Sequence, residues 1–341
     1  VRVGIIGGGV AGLSAAVALS GSGHEVVVFE SRSRHQPSPR AGHVHRMDAA
    51  AWALLDGLTR PDGPPTPRRR VPFGLARDGT LVWRGQQRLA SLSQVEHGLT
   101  EVAERIGVHL AFGSSVASVA VGTGEWQLAS TDGLRTSVDL LIDASGRHRA
   151  LLGLLGERGP DVWLDEIPGP EWHMSLVGVM STWQAQLLAW SHGQLEGLLQ
   201  IDAGGQATLT VRSGSASQLR SDLIFAAMCH AGGPHMARCL DGITFSTGSS
   251  RYTSTGTSLI ALDEADLRGW PPFVLIGDAL IEALPRHGEG MGRAIEQALA
   301  LKDAIGEGRR MDTLAVDLTQ MARARWAGYG IARALVSDRP A

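Results

Sequence analysis

The sequence predicts an α/β protein in which a Rossmann-type parallel sheet is interrupted by a second, antiparallel sheet. Three observations carry that expectation. Val1 to Ile6, Gly7 to Gly12 and Leu13 to Ser20 read as strand, glycine-rich turn and helix, and Glu25 to Glu30 follows as a β-branched strand ending in an acid. Two later apolar stretches, Leu140 to Asp143 and Phe273 to Ile276, each run straight into a glycine-bearing turn. Between them, Leu195 to Val211 alternates apolar and polar residues as half-buried strands do.

In the first unit each residue type has a physical reason. Gly7 permits the tight turn after the strand, Gly9 lets a pyrophosphate approach the backbone, and Gly12 lets helix and strand pack closely. The amides that open the helix, those of Val10 and Ala11 among them, together with its dipole, receive phosphate oxygens. Glu30 is an acceptor for ribose hydroxyls, and its charge repels the extra phosphate of NADP. These residues alone leave FAD and NAD both open.

Composition narrows the class. The chain has 341 residues, 43% apolar and 19% charged, enough for one or two intimately joined domains with a full core. The formal charge is −3 and the basic residues are dispersed, so neither nucleic acid nor an anionic membrane is indicated as a partner. No apolar run approaches the roughly 18 residues of a membrane span, and no signal peptide is apparent. Two cysteines make no disulfide framework, which points to the cytoplasm.

Further elements follow in order. His97 to Ile106 is a helix feeding the strand Val108 to Phe112, and Ser114 to Val121 starts a small β excursion. Strands are expected near 71–84, 173–182, 195–202 and 206–213, with Leu195, Leu199, Ile201 and Ala203 on one face, then Ala207, Leu209 and Val211. Ser217 to His230 reads as a helix, and Leu314 to Val336 as a terminal helix with Ala, Met and Trp on its buried side. Trp163, Trp172, Trp183 and Trp190 fall in the antiparallel region as core or as pocket lining. Cys229, His230, His235 and Cys239 match no common zinc spacing, and a helix interrupted by Gly232-Gly233-Pro234 accounts for them without metal.

The strand before Gly277-Asp278-Ala279 ends in a carboxylate able to accept from a ribitol hydroxyl. The glycines before the helix Arg293 to Ile305 offer amides to the N1 and C2 carbonyl of a flavin. The stretch GDALIEALPRHGEGMGRA resembles the GD motif of the group A flavin monooxygenases, the p-hydroxybenzoate hydroxylase type. Arg40-Ala41-Gly42 is similar to that family's arginine after the second strand, and LLIDASGR at 140–147 to its middle motif. Four motifs in family order span residues 4 to 295.

The resemblance implies a discontinuous FAD-binding domain over 1–70, 90–150 and 264–306. An inserted α+β substrate domain on an antiparallel sheet takes 71–89 and 151–263, and a C-terminal helix 307–341. It also implies roles. Arg40 reaches the FAD pyrophosphate, Val116 flanks the adenine, Asp278 holds the ribitol, and Pro285, Gly288, Gly290, Met291 and Gly292 border the flavin ring. Gln94 stands where the family often has an arginine that bonds the flavin chain, and it can still donate. His45, Arg286 and His287 are the catalytic candidates, against a structural histidine and a water-exposed loop. Glu289 replaces a glutamine of the family motif; turned inward and ionised it would disfavour an anionic reduced flavin, whereas in solvent or paired with an arginine it would not.

The implied reaction is NAD(P)H reduction of FAD, addition of O2 at C4a, and transfer of one oxygen from the hydroperoxide to a small-molecule substrate. That substrate is a medium-to-large apolar compound of natural-product biosynthesis. There is no second GxGxxG, so NAD(P)H binds transiently or a separate flavin reductase supplies electrons. Non-redox cyclisation or isomerisation with FAD as a structural element, and flavin-dependent reduction or dehydrogenation, are the other readings. Flavin halogenation is disfavoured because that chemistry needs an early lysine and the sole lysine is Lys302.

Overall fold

The computed structural model describes residues 1–36, 44–45, 47, 49–59, 70–88, 90–180, 184–202, 204–282 and 289–337. β1 (Arg2–Ile6) is almost wholly buried, as a central parallel strand must be. It enters α1 (Val10–Ser20), whose small apolar residues are covered nearly all round, and returns as β2 (Glu25–Glu30), parallel to β1. β3 (Val44–His45) and α2 (Ala49–Thr59) follow. β4 (Arg70–Arg77) and β5 (Thr80–Arg88) form a hairpin where a single strand near 71–84 was expected. The Asp78-Gly79 pair takes positive φ at both residues, 52° and 77°, the geometry that two-residue hairpins require.

β6 (Ala90–Ser91) pairs with β3 and leads into α3 (Leu92–Arg105), which begins five residues earlier than the spacing suggested. β7 (His109–Phe112) rejoins the parallel sheet. β8 (Val116–Val121), β9 (Trp126–Ser130) and β10 (Arg135–Val138) make the expected excursion, a three-stranded antiparallel sheet. β11 (Leu140–Asp143) returns beside β1, and α4 (Ala150–Leu155) carries the chain out again. Then come β12 (Trp163–Met180), β13 (Gln186–His192), β14 (Leu195–Ile201), β15 (Gln206–Ser213), α5 (Ser221–Asp241) and β16 (Ile243–Ala261). β17 (Phe273–Leu275) completes the parallel sheet, a 3-10 turn at Gly277–Ala279 leads to β18 (Ile281–Glu282), and α6 (Glu289–Gly306) and α7 (Leu314–Ser337) follow.

The parallel sheet has the order β17-β11-β1-β2-β7. The second sheet has eight strands in the order β18-β16-β12-β15-β14-β13-β4-β5, antiparallel throughout except where β13 meets β4. One face of it is filled by α5. Leu199, Ile201, Ala207, Leu209 and Val211 pack there with Ile224, Met228 and Ala231, so the alternation around Leu195–Val211 has its expected partner. Ala203 and Trp183 lie outside the described residues.

Three expectations need correction. α5 does not end at His230: it kinks at Gly233, whose φ of 57° precedes Pro234, and continues to Asp241. β12 and β16 are far longer than their sequences suggest, because each is held by pairing along the other. Trp163 and Trp172 are not core. β12 meets β15 only from Trp172 onward, so Trp163 sits on an overhang and is 72% exposed, while Trp190 is buried against α5.

Candidate functional site

The turn after β1 distinguishes packing glycines from an open one. A Cβ on Gly7 would stand 2.5 Å from the Ala144 carbonyl oxygen, and one on Gly12 would fall on the Gly7 carbonyl oxygen. A Cβ on Gly9 would meet nothing closer than 3.7 Å, from Glu96. Gly9 is the N-cap of α1 and no side chain caps it, so the first-turn amides keep their bonding capacity on an open surface. A dinucleotide pyrophosphate fits these residues: two glycines close the turn, and the third leaves room for phosphate oxygens.

Glu30 ends β2 beside this turn. Its Oε2 accepts from the Gly8 amide at 2.7 Å, and its Oε1 from the Arg32 amide at 2.8 Å and Nε at 3.0 Å. Arg32 also reaches Glu96 of α3 at 3.2 Å. Burial acts to raise the Glu30 carboxyl, but Arg32 and the two amides outweigh it and hold it below its ordinary value. Burial pushes Glu96 above its ordinary value, with Arg32 offsetting only part of this. Arg32 and Glu96 were missed in the sequence. The available signal was an arginine two residues past the strand-end acid, but its second partner lies 64 residues away.

The middle motif works on its own backbone. Asp143 is fully buried; its Oδ1 accepts from the Ser145 amide at 2.9 Å and hydroxyl at 2.6 Å, and its Oδ2 from the Leu151 amide at 2.9 Å. Burial raises its carboxyl above the ordinary value despite these bonds. Arg149 follows in left-handed conformation with φ of 48°. Its Nε donates to the Ala279 carbonyl at 3.2 Å, and its guanidinium also donates to the Ser258 hydroxyl of β16. Middle motif, GD turn and second sheet are thereby tied at one point.

The GD turn lies against α1. Gly277 has φ of 62°, a Cβ there would be 2.8 Å from the Ala11 Cβ, and its amide donates to Gln297 Oε1 at 2.6 Å. Motifs from opposite ends of the chain thus converge, with half-buried Asp278 next to the contact. On α6, Met291 is buried, Gly290 is exposed, and Gly292 closely approaches Ala51 of α2. Gln94 closes a capping box at the start of α3: its Oε1 accepts from the Ser91 amide at 2.9 Å, and its own amide donates to the Ser91 hydroxyl at 3.2 Å. Its oxygen is committed there, leaving Nε2 for other contacts. Val116 is half-buried at the start of β8 and packs on the main core. Arg40, His43, Pro285, Arg286, His287 and Gly288 lie outside the described residues, as do the side chains of His45 and Glu289.

The residues of the Cys/His segment point to separate neighbours. Cys239 Sγ accepts from Gln186, His235 meets Trp83 edge-on, and His230 stacks on His192. Among the described residues no group of three or more His, Cys, Asp or Glu is arranged to hold a metal ion, and no helix is long and apolar enough to cross a membrane.

Comparison with known proteins agrees with this geometry. Residues 5–53 match the family model of the NAD(P)-binding Rossmann-like domain. Over 94% of its length the chain is 25% identical to FAD-dependent monooxygenase okaB of Penicillium ochrochloron, covering 77% of that protein. It is 31% identical to FAD-dependent monooxygenase atnJ of Arthrinium sp, over 42% of this chain and 35% of that one. Among solved structures, pqsL from Pseudomonas aeruginosa, described as a probable FAD-dependent monooxygenase, superposes with a TM-score of 0.72 at 20% identity, covering 94% of this chain and 91% of that chain. The architecture is the Rossmann-type FAD-binding fold with a second sheet.

Proposed function

We propose that this chain is an FAD-dependent monooxygenase that places one oxygen atom of O2 on a medium-to-large, mostly apolar organic molecule, by hydroxylation or epoxidation, in natural-product biosynthesis. The observation that carries this is the convergence of two cofactor motifs: the uncapped start of α1 and the GD turn meet at Ala11 and Gly277. The relatives named FAD-dependent monooxygenases support the same reading.

FAD, once reduced, supplies the electrons that activate O2. The chain's own residues bind and orient. The amides of Val10 and Ala11 hold the pyrophosphate with Arg40, Glu30 accepts from ribose, and Val116 flanks the adenine. Asp278 and the Nε2 of Gln94 hold the ribitol chain. Gly290, Met291 and Gly292 would offer the α6 amides to the flavin ring, with Pro285 and Gly288 as the remaining residues of that motif. His45, Arg286 and His287 are the candidates for positioning the substrate or tuning the flavin. Residues 1–70, 90–150 and 264–306 form the cofactor domain, and 71–89 and 151–263 the substrate domain. NAD(P)H is a transient donor, or a flavin reductase delivers electrons. Two free cysteines fit a reducing cytoplasm.

The test is the visible spectrum of the purified chain, reconstituted with FAD and kept anaerobic, before and after NADH or NADPH. We expect an oxidised flavin band that bleaches and returns with air. A band that persists with both donors, yet bleaches with a flavin reductase, assigns electron delivery to a partner. A chain that takes up no FAD overturns the proposal.

A further inference from the structure

Among the described residues, a Cβ on Gly9 would have one neighbour within 4 Å, the Glu96 Oε1 at 3.7 Å. A carboxylate of α3 therefore borders the surface on which phosphate oxygens rest, and its side chain is only 15% exposed. Arg32 stands between this acid and Glu30. Its Nε and Nη2 donate to Glu30 at 3.0 and 3.2 Å, and its Nη1 to Glu96 at 3.2 Å. Glu30 also accepts from the Gly8 and Arg32 amides, whereas Glu96 has Arg32 as the one side-chain donor among the described residues. The other elements packed on α3 bring little charge to the spot. α1 and β6 (Ala90–Ser91) have no titratable side chain, and β7 carries His109 level with Val27, at the other end of β2 from Glu30. On α3 itself, His97 pairs with Glu101 in solvent, and Glu104 pairs with Arg34. The side chain of His45, on the β3 strand paired to β6, lies outside the described residues.

One guanidinium thus serves two carboxylates, and the local balance is already negative before a dianionic pyrophosphate arrives. Like charges brought together away from water repel strongly, and the group that can shed its charge does so. A pyrophosphate cannot near neutral pH; a half-buried carboxylate can. Glu30 is the wrong candidate, because Arg32 and two amides hold it below its ordinary value. Glu96 is the right one, since burial already holds it above its ordinary value. We infer that Glu96 is a further residue of the pyrophosphate site and binds there as the neutral acid. FAD brings one proton from solvent onto Glu96, the O–H donates to a phosphate oxygen, and the proton leaves when the cofactor leaves. Arg32 is then free to serve Glu30 alone. FAD retention becomes a function of pH, tight where Glu96 protonates readily and weaker as pH rises. This rests on the reading of the chain as an FAD protein, and it concerns the apo and loaded states whatever the reaction.

The flavin-free chain is titrated with FAD by calorimetry from about pH 6 to about pH 8. Two buffers of different ionisation enthalpy are used, so that proton uptake is read apart from affinity. We expect uptake approaching one proton per FAD, and a dissociation constant that rises by up to about tenfold per pH unit. Glu96→Gln is neutral at every pH and still a donor. It should take up no proton, show a flat affinity profile, and hold FAD more tightly than wild type at the upper end. Glu96→Ala should be equally flat but weaker than Glu96→Gln by about fivefold, the size of one hydrogen bond. Protons bound by histidines, those of His43 and His45 included, would persist in both variants. FAD binding to the wild type without proton uptake, uptake that survives in Glu96→Gln, or equal affinity in the two variants overturns the assignment and leaves the chain an FAD protein. No FAD uptake at any pH overturns the cofactor reading itself, and this inference with it.

Discussion

At the scale of single residues, the three motif glycines make separable claims. Gly12→Ala puts a methyl onto the Gly7 carbonyl oxygen, so we expect a loss above the ~1–3 kcal/mol of ordinary overpacking, read as urea-unfolding free energy. Gly9→Ala meets nothing closer than 3.7 Å and keeps an extended backbone at the N-cap. We expect its stability to stay within about 1 kcal/mol of wild type while FAD affinity falls by about tenfold or more, since the methyl occupies phosphate space. Equal FAD affinity in wild type and Gly9→Ala would remove the pyrophosphate from that surface. The glycines were readable because the strand, turn and helix that frame them are contiguous in the chain, although the carbonyl that crowds Gly7 belongs to Ala144. Arg32 and Glu96 were not, because an acid on a helix reads as a solvated face until the partner that buries it is known. Their pH signature follows from sign. The folded value of Glu30 is depressed, so its stabilisation is present above the ordinary carboxylate range and lost as pH falls through the lower folded value. Glu96 is raised, so its ionisation costs stability once pH climbs past the ordinary range. We expect Glu96→Gln to gain stability relative to wild type between pH 4 and pH 8. A constant or shrinking difference in urea midpoint would contradict that.

At the scale of elements, Arg149 and Gln94 show how caps and brackets set the site. Arg149 accepts a left-handed backbone, unfavourable by roughly 1–2 kcal/mol for a residue with a Cβ, in order to bond Ala279 and Ser258. Arg149→Gly relieves the backbone and frees the GD turn together. We expect a melting temperature close to wild type but weaker FAD binding, and Ser258→Ala to weaken FAD in the same direction by less. Unchanged FAD affinity in both would make the bracket irrelevant to the cofactor. Gln94→Arg breaks the capping box and should cost about 0.5–2 kcal/mol of stability, while restoring a longer donor toward the flavin chain and tightening FAD; a variant that loses stability without tightening places Gln94 solely in the cap. Elements with local signals were recovered from sequence: the helix α1, the strand β11 and the alternating pair β14 and β15. β16 was not, because Ser246 to Thr257 has no apolar alternation to mark a buried face, and its extension is set by pairing with β12. Trp163 was misjudged for the complementary reason: its strand runs past its second neighbour, and no local pattern marks where pairing stops.

At the scale of the whole molecule, the two large sheets are one mechanical unit. Leu259 and Ile260 at the end of β16, with Leu262 just beyond it, belong to the same buried cluster as β1, β11 and β17, so the second sheet is rooted in the core of the first. α7 seals the join: Leu314, Leu318 and Ala322 enter that cluster, and Trp326 donates from its indole to Asp165 of β12 at 2.7 Å. β18, directly after the GD turn, is itself an edge of the second sheet, paired to Ser258 and Leu259. Unfolding one sheet therefore exposes apolar surface on the other and dismantles the cofactor turn. A ligand bound to α1 and the GD turn should stabilise all of it together. At FAD a hundredfold above its dissociation constant the gain is about 2.7 kcal/mol, which for a chain of this size raises the melting temperature by roughly 5 °C. We expect calorimetry to show one transition that moves as a whole with FAD. Two transitions, with only the earlier or the later one moved by FAD, would mean that Arg149, α7 and β18 join the sheets without coupling them.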